Sequence, residues 1–376
     1  MRTSLPGKSA SSQHAAANDH RNGMLDLLRF AAALTLVIYH FLYRGGVDAE
    51  FISVDYGAAG QAVSFGYLGV NLFFMISGYV IIWSASGRDW YGFAIGRVAR
   101  LYPAHLVAMT ITAVMMALWA HPPLTTNFVH WLANLTMLAP LFGQTFMDGA
   151  YWSIIIELIF YGWVMIGLFS GVVPRYTDQA VAVWMALVIV NNLLLGSRPV
   201  ELLFLTEYGA YFAFGAMVWR LSSHGVTNLR LVLAGLALAM SFHTVEVQRL
   251  DVIARLGEGG TANQMALANL FIVASFLFAV LLGRVVTVRP WVLVLGGISY
   301  PLYLVHQNTG YILINLTAPS VGKWTAVVLA TVLTMAVSWW IYAVVEPSGR
   351  KIVRSLFSPA ARFLPRTGRN PIVPAE

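Results

Sequence analysis

The chain has 376 residues, of which 58% are hydrophobic and 10% are charged, and its formal net charge is +7. Soluble globular proteins are about half apolar and about a quarter charged, so this composition excludes a soluble enzyme and indicates a protein solvated by lipid. The absence of cysteine excludes a catalytic thiol, disulfides and cysteine-ligated metals. The basic residues are not clustered on one soluble face, so we expect contact with the lipid bilayer and no nucleic acid partner.

About ten apolar stretches are long enough to cross a membrane as helices of ~20 residues. They lie at 24–43, 65–85, 101–119, 152–171, 179–196, 201–221, 230–247, 265–283, 291–313 and 322–345. The stretch 128–142 is shorter and contains His130 and Asn134, which indicates an interfacial or re-entrant segment. We therefore predict an all-α polytopic membrane protein with about ten transmembrane helices.

The distribution of Lys and Arg predicts how the chain is oriented. With a cytoplasmic N-terminus, the predicted outer loops contain only Arg44, Arg198, Arg249, Arg255 and Lys323. Cytoplasmic segments are usually the more basic ones, so both termini are predicted to be cytoplasmic. We divide the chain into a flexible N-terminal tail at 1–23, a transmembrane domain at 24–352 and a basic C-terminal tail at 353–376.

Ionisable groups within the predicted spans are costly to bury and are therefore candidates for function. Arg29 and His40 lie eleven residues apart on the first span, which places them on one helix face about 16 Å apart. Further polar residues predicted near the depth of His40 are Asn71, Glu157, Glu207 and His306. Each also has a structural interpretation, because buried polar groups often only connect helices.

A second polar cluster lies in the predicted cytoplasmic loop 86–100. Arg97 and Arg100 are three residues apart at the start of a predicted helix, and Pro103 suits the first turn of that helix. Two arginines at a helix N-terminus can bind phosphate. The alternative is that they only orient the protein, as basic residues at cytoplasmic helix ends do.

Five sequence blocks follow one another in a fixed order: LDLLRFAAALTLVIYHF (25–41), VNLFFMISGYVI (70–81), FAIGRVARLYPAH (93–105), YWSIIIELIFY (151–161) and ISYPLYLVHQ (298–307). Together they resemble the motif blocks of the integral-membrane acyltransferase 3 family, and the resemblance runs from about residue 24 to 352. The resemblance implies ten core helices in a multi-pass protein of the bacterial inner membrane. It also implies O-acyl transfer, often from acetyl-CoA, to exopolysaccharide, lipopolysaccharide or a small glycoside such as a macrolide.

The family's Arg-x10-His and Arg-x-x-Arg elements match Arg29 with His40 and Arg97 with Arg100. On this basis we expect His40 to be a general base or a covalent acyl carrier, with Glu157 holding its imidazole. Arg97, Arg100 and Arg29 are expected to contact acyl-CoA, and Arg29 is also expected as a catalytic residue that balances the charge of the site. No metal is expected. The residues expected at the sugar acceptor are Asn71, Trp152, Glu207, Tyr300 and His306.

Two other classes of protein fit parts of the sequence. Ten spans with buried His and Glu also suit a proton-coupled transporter or a flippase in glycan export, although no paired broken helices are recognisable. A non-catalytic scaffold in polysaccharide assembly machinery is the third class. If the chain is instead the O-acyltransferase, we expect the polysaccharide assembly machinery as its partner and a glycan or lipid-linked sugar as its acceptor.

Overall fold

The computed structural model describes residues 22–47, 50–120, 122–257, 260–286 and 288–357. Within these residues all regular structure is helical and no β-strand occurs, as the sequence predicts. The predicted tails lie largely outside the described residues, although the last helix extends to Phe357, beyond the predicted start of the C-terminal tail.

The α-helices, numbered in chain order, are α1 Gly23–Tyr39, α2 Ala58–Ala62, α3 Gly69–Ala85, α4 Trp90–Trp119, α5 Phe128–Asn134, α6 Trp152–Phe169, α7 Thr177–Val190, α8 Arg198–Phe204, α9 Gly209–His224, α10 Asn228–Leu256, α11 Ala262–Leu282, α12 Pro290–Val305, α13 Gln307–Val321, α14 Lys323–Trp340 and α15 Glu346–Phe357. Short π-helical turns extend three of them, at His40–Arg44, Asn191–Leu195 and Ile341–Val345.

Among the described residues, nine helical segments are long and apolar enough to cross a membrane. The single span predicted at 291–313 is instead formed by α12 and α13, which are separated at His306. The stretch 128–142 contains only the short α5 and a 3-10 turn, so it does not form a spanning helix. The prediction of an all-α polytopic fold is confirmed.

The span predicted at 201–221 is also broken, between α8 and α9. Leu205 at this break has a φ of +55°. The break frees backbone carbonyls, and two indoles satisfy them: Trp163 donates to Leu203 at 2.7 Å and Trp184 donates to Phe204 at 2.6 Å. Because these carbonyls are satisfied by side chains, the irregular backbone can lie inside an apolar bundle.

Helices α3 and α9 pack backbone against backbone. A Cβ at Gly78 would collide with the carbonyl of Phe212, and a Cβ at Gly215 would collide with the carbonyl of Met75. Small residues permit this approach between helices in lipid. The contact fixes the position of α3, which contributes residues to both cavities described below.

Asp178 joins three helices through a buried ion cluster. Arg220 donates from Nε to Oδ1 at 2.7 Å, and Arg230 donates from Nε to Oδ2 at 2.8 Å. Arg230 also donates to the carbonyls of His224 and Gly225 at 2.6 and 2.7 Å. All three charged residues are buried, so α7, α9 and α10 are linked by satisfied polar groups.

The variant Asp178→Ala is expected to destabilise the fold by about 3–5 kcal/mol, because two buried guanidinium groups lose their counterion. Thermal unfolding in detergent, followed by tryptophan fluorescence, measures this loss. The matched control is Asp251→Ala, which removes an exposed carboxylate paired with Arg255 and should cost under about 1 kcal/mol. Equal losses of stability in the two variants would show that the buried ion cluster stabilises the fold no more than an exposed ion pair does.

Candidate active site

One cavity, of about 830 Å³, is rich in arginine and is called here the arginine cavity. It lies among the first half of α1, α3 from Phe73 onwards, the end of α9, and parts of α4, α6 and α12. Its charged lining residues are Arg29, Arg88, Arg97, Arg100, Asp26 and Glu157. Four arginines face two carboxylates, and this excess of positive charge favours an anionic ligand such as a phosphate.

The two arginines of the Arg-x-x-Arg element are held in place by different contacts. The guanidinium of Arg97 lies over the rings of Phe93 and Tyr161, at 5.4 and 5.7 Å. Its buried Nε has no hydrogen-bond partner among the described residues. Arg100 lies 3.9 Å from the carboxylate of Glu346, which is buried. Arg97 therefore keeps donor capacity for a ligand while its side chain is fixed by aromatic packing.

The expectation that these arginines start a helix is wrong. Helix α4 begins at Trp90, capped by the carboxylate of Asp89, so Arg97 and Arg100 lie well inside it. Pro103 is likewise in the helix interior. The effect of the helix dipole fades beyond the first turn, so the attraction for an anion comes from the charge of the cavity.

A second cavity, of about 930 Å³, contains His40 and is called here the histidine cavity. It lies among the end of α1, the start of α3, the break between α8 and α9, and the end of α10. Its polar and aromatic lining includes His40, Trp152, Glu207, Tyr208, Gln248 and Gln307. Ring faces combined with hydrogen-bonding groups suit a ligand that is rich in hydroxyls.

His40 lies where α1 changes into a π-helical turn, a distortion that is frequent at functional sites. Its Nδ1 is 3.0 Å from the hydroxyl of Tyr311, which is fully buried and stacks on Phe51. Tyr311 can reach this position because α13 approaches α1 closely at Gly310, where any side chain would collide with Phe41. The imidazole is therefore positioned by a tyrosine hydroxyl.

His306 occupies the break between α12 and α13, beside His40. Its Nδ1 lies 3.1 Å from the carbonyl of Leu302 and 2.9 Å from that of Tyr303, so Nδ1 must be the donor. Its buried Nε2 has no hydrogen-bond partner among the described residues. The two histidine rings are 5.1 Å apart between centroids. His306 is fully buried, so it supports His40 from behind the cavity surface.

Asp148 ties the preceding loop to the same break. Its Oδ1 accepts from the backbone N–H of Ala150 and its Oδ2 from that of Asn308, both at 2.9 Å. Asn308 donates in return to the carbonyl of Met147 at 3.0 Å. These bonds hold the start of α6 against the start of α13.

Burial raises the pKa of the Asp148 carboxyl from 3.8 to about 7, and its two backbone hydrogen bonds oppose the shift. The folded protein thus binds this proton more tightly than the unfolded chain does. The stability that results is present below pH 3.8 and is lost as the pH rises through about 7. We expect the melting temperature of wild type, relative to Asp148→Asn, to fall across this range. Parallel pH profiles for the two proteins would contradict this assignment.

The structure separates Glu157 from His40. Oε1 of Glu157 accepts from the hydroxyl of Ser77 at 2.7 Å, and both residues line the arginine cavity. Trp152, on the same helix, lines the histidine cavity. Trp152 and Glu157 are five residues apart, which corresponds to about 7.5 Å along α6, so one helix can contribute a residue to each cavity. Glu157 is therefore near Arg29, and the expected pairing of Glu157 with His40 is not formed.

Three predicted acceptor residues do not line the histidine cavity: His306, described above, and Asn71 and Tyr300. Asn71 exchanges two hydrogen bonds with Gln248, at 2.8 and 3.0 Å, and donates to Tyr211 at 3.2 Å. It is 1% exposed and its amide is satisfied, so its role here is structural. Tyr300 donates to the carbonyl of Leu101 at 3.2 Å and lines the arginine cavity. Trp152 and Glu207 line the histidine cavity together with His40.

Four residues in or next to these cavities were not found from the sequence: Arg88 and Tyr303, which line the cavities, and Asp148 and Tyr311, which hold the residues around them. Arg88 shares a loop with the Arg-x-x-Arg element and could have been grouped with it. The two tyrosines have no distinguishing signal, because the chain has 16 tyrosines and this residue is common at membrane interfaces. Asp148 lies in a predicted loop, where an aspartate is ordinarily solvated.

A model of the Acyl_transf_3 family, described as an acyltransferase domain, matches residues 22–343. The chain belongs to this family. The matched region contains all the residues that line the two cavities. The match confirms the resemblance found in the sequence, and together with the nine apolar helices of the described residues it indicates a multi-pass membrane protein.

Among curated proteins, the chain is similar to the acyltransferase MdmB of Streptomyces mycarofaciens, with 29% identity over 147 residues. The match covers 36% of this chain and 36% of that protein. The chain therefore spans only about a third of the length of MdmB. No solved structure matches the chain.

Proposed function

We propose that this acyltransferase moves an acetyl or other short acyl group from acyl-CoA to a sugar hydroxyl, with donor and acceptor entering from opposite faces of the membrane. The observation that supports this is that the two cavities follow one another along the same helices. On α1, Arg29 lines the arginine cavity and His40 the histidine cavity; on α6, Glu157 and Trp152 are divided in the same way.

The donor is acyl-CoA, and its anionic phosphates bind in the arginine cavity. Arg97 and Arg100 contact the phosphates, with Arg88 nearer the exposed surface and Arg29 deeper on α1. CoA is too polar to cross a membrane, so this cavity faces the cytoplasm, in agreement with the predicted orientation. The pantetheine arm then directs the thioester along α1 towards His40.

His40 acts as the general base. When Nδ1 carries the ring proton and donates it to Tyr311, Nε2 holds the lone pair and takes the proton of the acceptor hydroxyl. The oxygen attacks the thioester carbonyl, a C–O bond forms, the C–S bond breaks, and the proton passes to the departing CoA thiolate. Acyl transfer through a covalent acyl-His40 intermediate gives the same products.

The acceptor binds in the histidine cavity on the extracytoplasmic side. Trp152 and Tyr208 offer ring faces, and Glu207 and Gln248 offer hydrogen-bonding groups, as carbohydrate ligands require. We assign a glycan or lipid-linked sugar of the bacterial cell surface as the acceptor, made by polysaccharide assembly machinery. A small glycoside such as a macrolide is the alternative.

A transporter or flippase remains the second candidate, and one observation favours it. The helices break at two places, between α8 and α9 and between α12 and α13, and discontinuous helices are typical of carriers. The family assignment favours the enzyme.

Incubating the purified protein with radiolabelled acetyl-CoA and extracted surface glycans separates these candidates. Label on a glycan or on the protein supports the enzyme, and uptake of glycan without acylation supports a carrier. Mass spectrometry of surface glycans from cells with and without the gene would then identify the acyl group and the acceptor.

A further inference from the structure

The two cavities approach each other at a single side chain, that of Tyr303. Among the described residues that line them, Tyr303 alone belongs to both. It lies on α12, one turn after Ser299 of the arginine cavity and one turn before Gln307 of the histidine cavity. The path from one cavity to the other therefore passes the ring of Tyr303.

The ring of Tyr303 is held on both sides of this boundary. Its hydroxyl donates to the carbonyl of Ala150 at 2.6 Å and lies 2.6 Å from the hydroxyl of Ser153. Ala150 lines the histidine cavity and Ser153 the arginine cavity. Phe73, which also lines the arginine cavity, meets the ring edge to face at 5.9 Å. Only 8% of Tyr303 is exposed.

A second aromatic contact continues the same boundary. Phe74 lines the arginine cavity and Trp152 the histidine cavity, and their rings meet edge to face at 6.2 Å. Phe74 is buried. Aromatic rings therefore lie between the two cavities at both contacts, and an apolar layer of this kind opposes the passage of water and ions.

We propose that Tyr303 is a movable partition between the two cavities. Its ring closes the passage at rest and turns aside to let the acyl group of the donor reach His40. Two hydrogen bonds and ring packing are enough to favour the closed position and weak enough to be exchanged for contacts with a substrate. The purpose assigned to this movement rests on the proposed function, whereas the separation of the cavities does not.

The partition also protects the donor from water. If it is missing, water from the histidine cavity can attack the thioester carbonyl. A C–O bond to the water oxygen then forms, the C–S bond breaks, and the products are a free carboxylic acid and the CoA thiol. Removal of the ring should thus convert part of the transfer into hydrolysis.

The chain has no cysteine, so single cysteines can report access to each cavity. Val80→Cys reports on the arginine cavity and Val247→Cys on the histidine cavity. In sealed proteoliposomes of one orientation, a membrane-impermeant maleimide should label each cysteine from one face, and the two faces should be opposite. If Val80→Cys with Tyr303 present is labelled from both faces, the partition does not exist.

Adding Tyr303→Ala should make Val80→Cys reactive from the far face as well. Tyr67→Ala is the matched control, because Tyr67 lines the histidine cavity without reaching the arginine cavity, and it should leave labelling one-sided. Tyr303→Phe keeps the ring without the hydroxyl, so its far-face labelling should be intermediate. If Tyr303→Ala does not fold, the test is whether Tyr303→Phe allows labelling of Val80→Cys from the far face. Labelling that stays one-sided in every folded Tyr303 variant would overturn the proposal.

A separate readout distinguishes this proposal from the proposed function. Acetyl-CoA supplied without an acceptor should yield free acetate faster with Tyr303→Ala than with Tyr67→Ala. If labelling changes as expected but no variant transfers or hydrolyses acetyl-CoA, the partition stands and the proposed function fails. If transfer is active while Tyr303→Ala leaves labelling one-sided, the proposed function stands and the partition fails.

Discussion

His40→Ala is expected to lower the rate of acyl transfer by about 10²–10⁴-fold if His40 is a general base, which is the usual contribution of such a group. The loss should appear in kcat, because the cavity proposed to bind acyl-CoA lies further along α1 and does not contain His40. If His40 carries the acyl group covalently, the loss should be complete. Steady-state release of CoA thiol, with the acylated product measured by mass spectrometry, follows the rate.

The matched control for this variant is His224→Ala. His224 lies at the exposed end of α9 and lines neither cavity. Tyr311→Phe should give a smaller loss than His40→Ala, because the imidazole remains but Nδ1 loses its hydroxyl partner. Full activity of a folded His40→Ala protein would remove His40 from the mechanism.

The double variant Arg97→Ala with Arg100→Ala should weaken the binding of acyl-CoA. A hydrogen bond to a charged group contributes about 1.5–3 kcal/mol, so each arginine should be worth roughly tenfold to a hundredfold in Kd. The turnover of bound donor should change less than its Kd, because neither arginine lies in the histidine cavity. Titration calorimetry with CoA in detergent measures the affinity directly.

Arg175→Ala is the control for this pair, since Arg175 is exposed and lines neither cavity. Added salt should weaken CoA binding in wild type and have less effect in the double variant, because charge attraction is screened. Unchanged CoA affinity in the double variant would mean that the arginines only orient the protein in the membrane.

Hydropathy was sufficient to predict the spans whose backbone stays helical. The first span was predicted at 24–43 and occurs as Gly23–Arg44. Breaks were missed because an unwound turn supported by side chains leaves the local apolar content unchanged. Leu205 has positive φ without a glycine to indicate it, and the indole donors of Trp163 and Trp184 lie far away in sequence.

The start of α4 was missed for a different reason. Residues 86–100 are polar, so hydropathy assigned them to a loop. Helix α4 begins within this stretch because Asp89 caps it, and its arginines face a cavity. A helix that lines an aqueous cavity does not need the apolar composition of one that faces lipid.

The position of a residue along its own helix could be predicted from the sequence, but the side chains that contact it from other helices could not. Arg29 and His40 lie in two cavities along one helix, as their spacing suggests. The partner of His40 was wrongly expected to be Glu157. Tyr311 takes that place because Gly310 lets α13 approach α1, a tertiary contact that no spacing within one helix encodes.

Sealed proteoliposomes provide the most direct test of transfer between the two cavities. Labelled acetyl-CoA is supplied on the face from which Val80→Cys is labelled, and extracted glycans are supplied on the face from which Val247→Cys is labelled. We predict CoA thiol on the first face and acylated glycan on the second, with both lost in His40→Ala. Acylated glycan formed on the donor face, or equal yields from wild type and His40→Ala, would contradict this account.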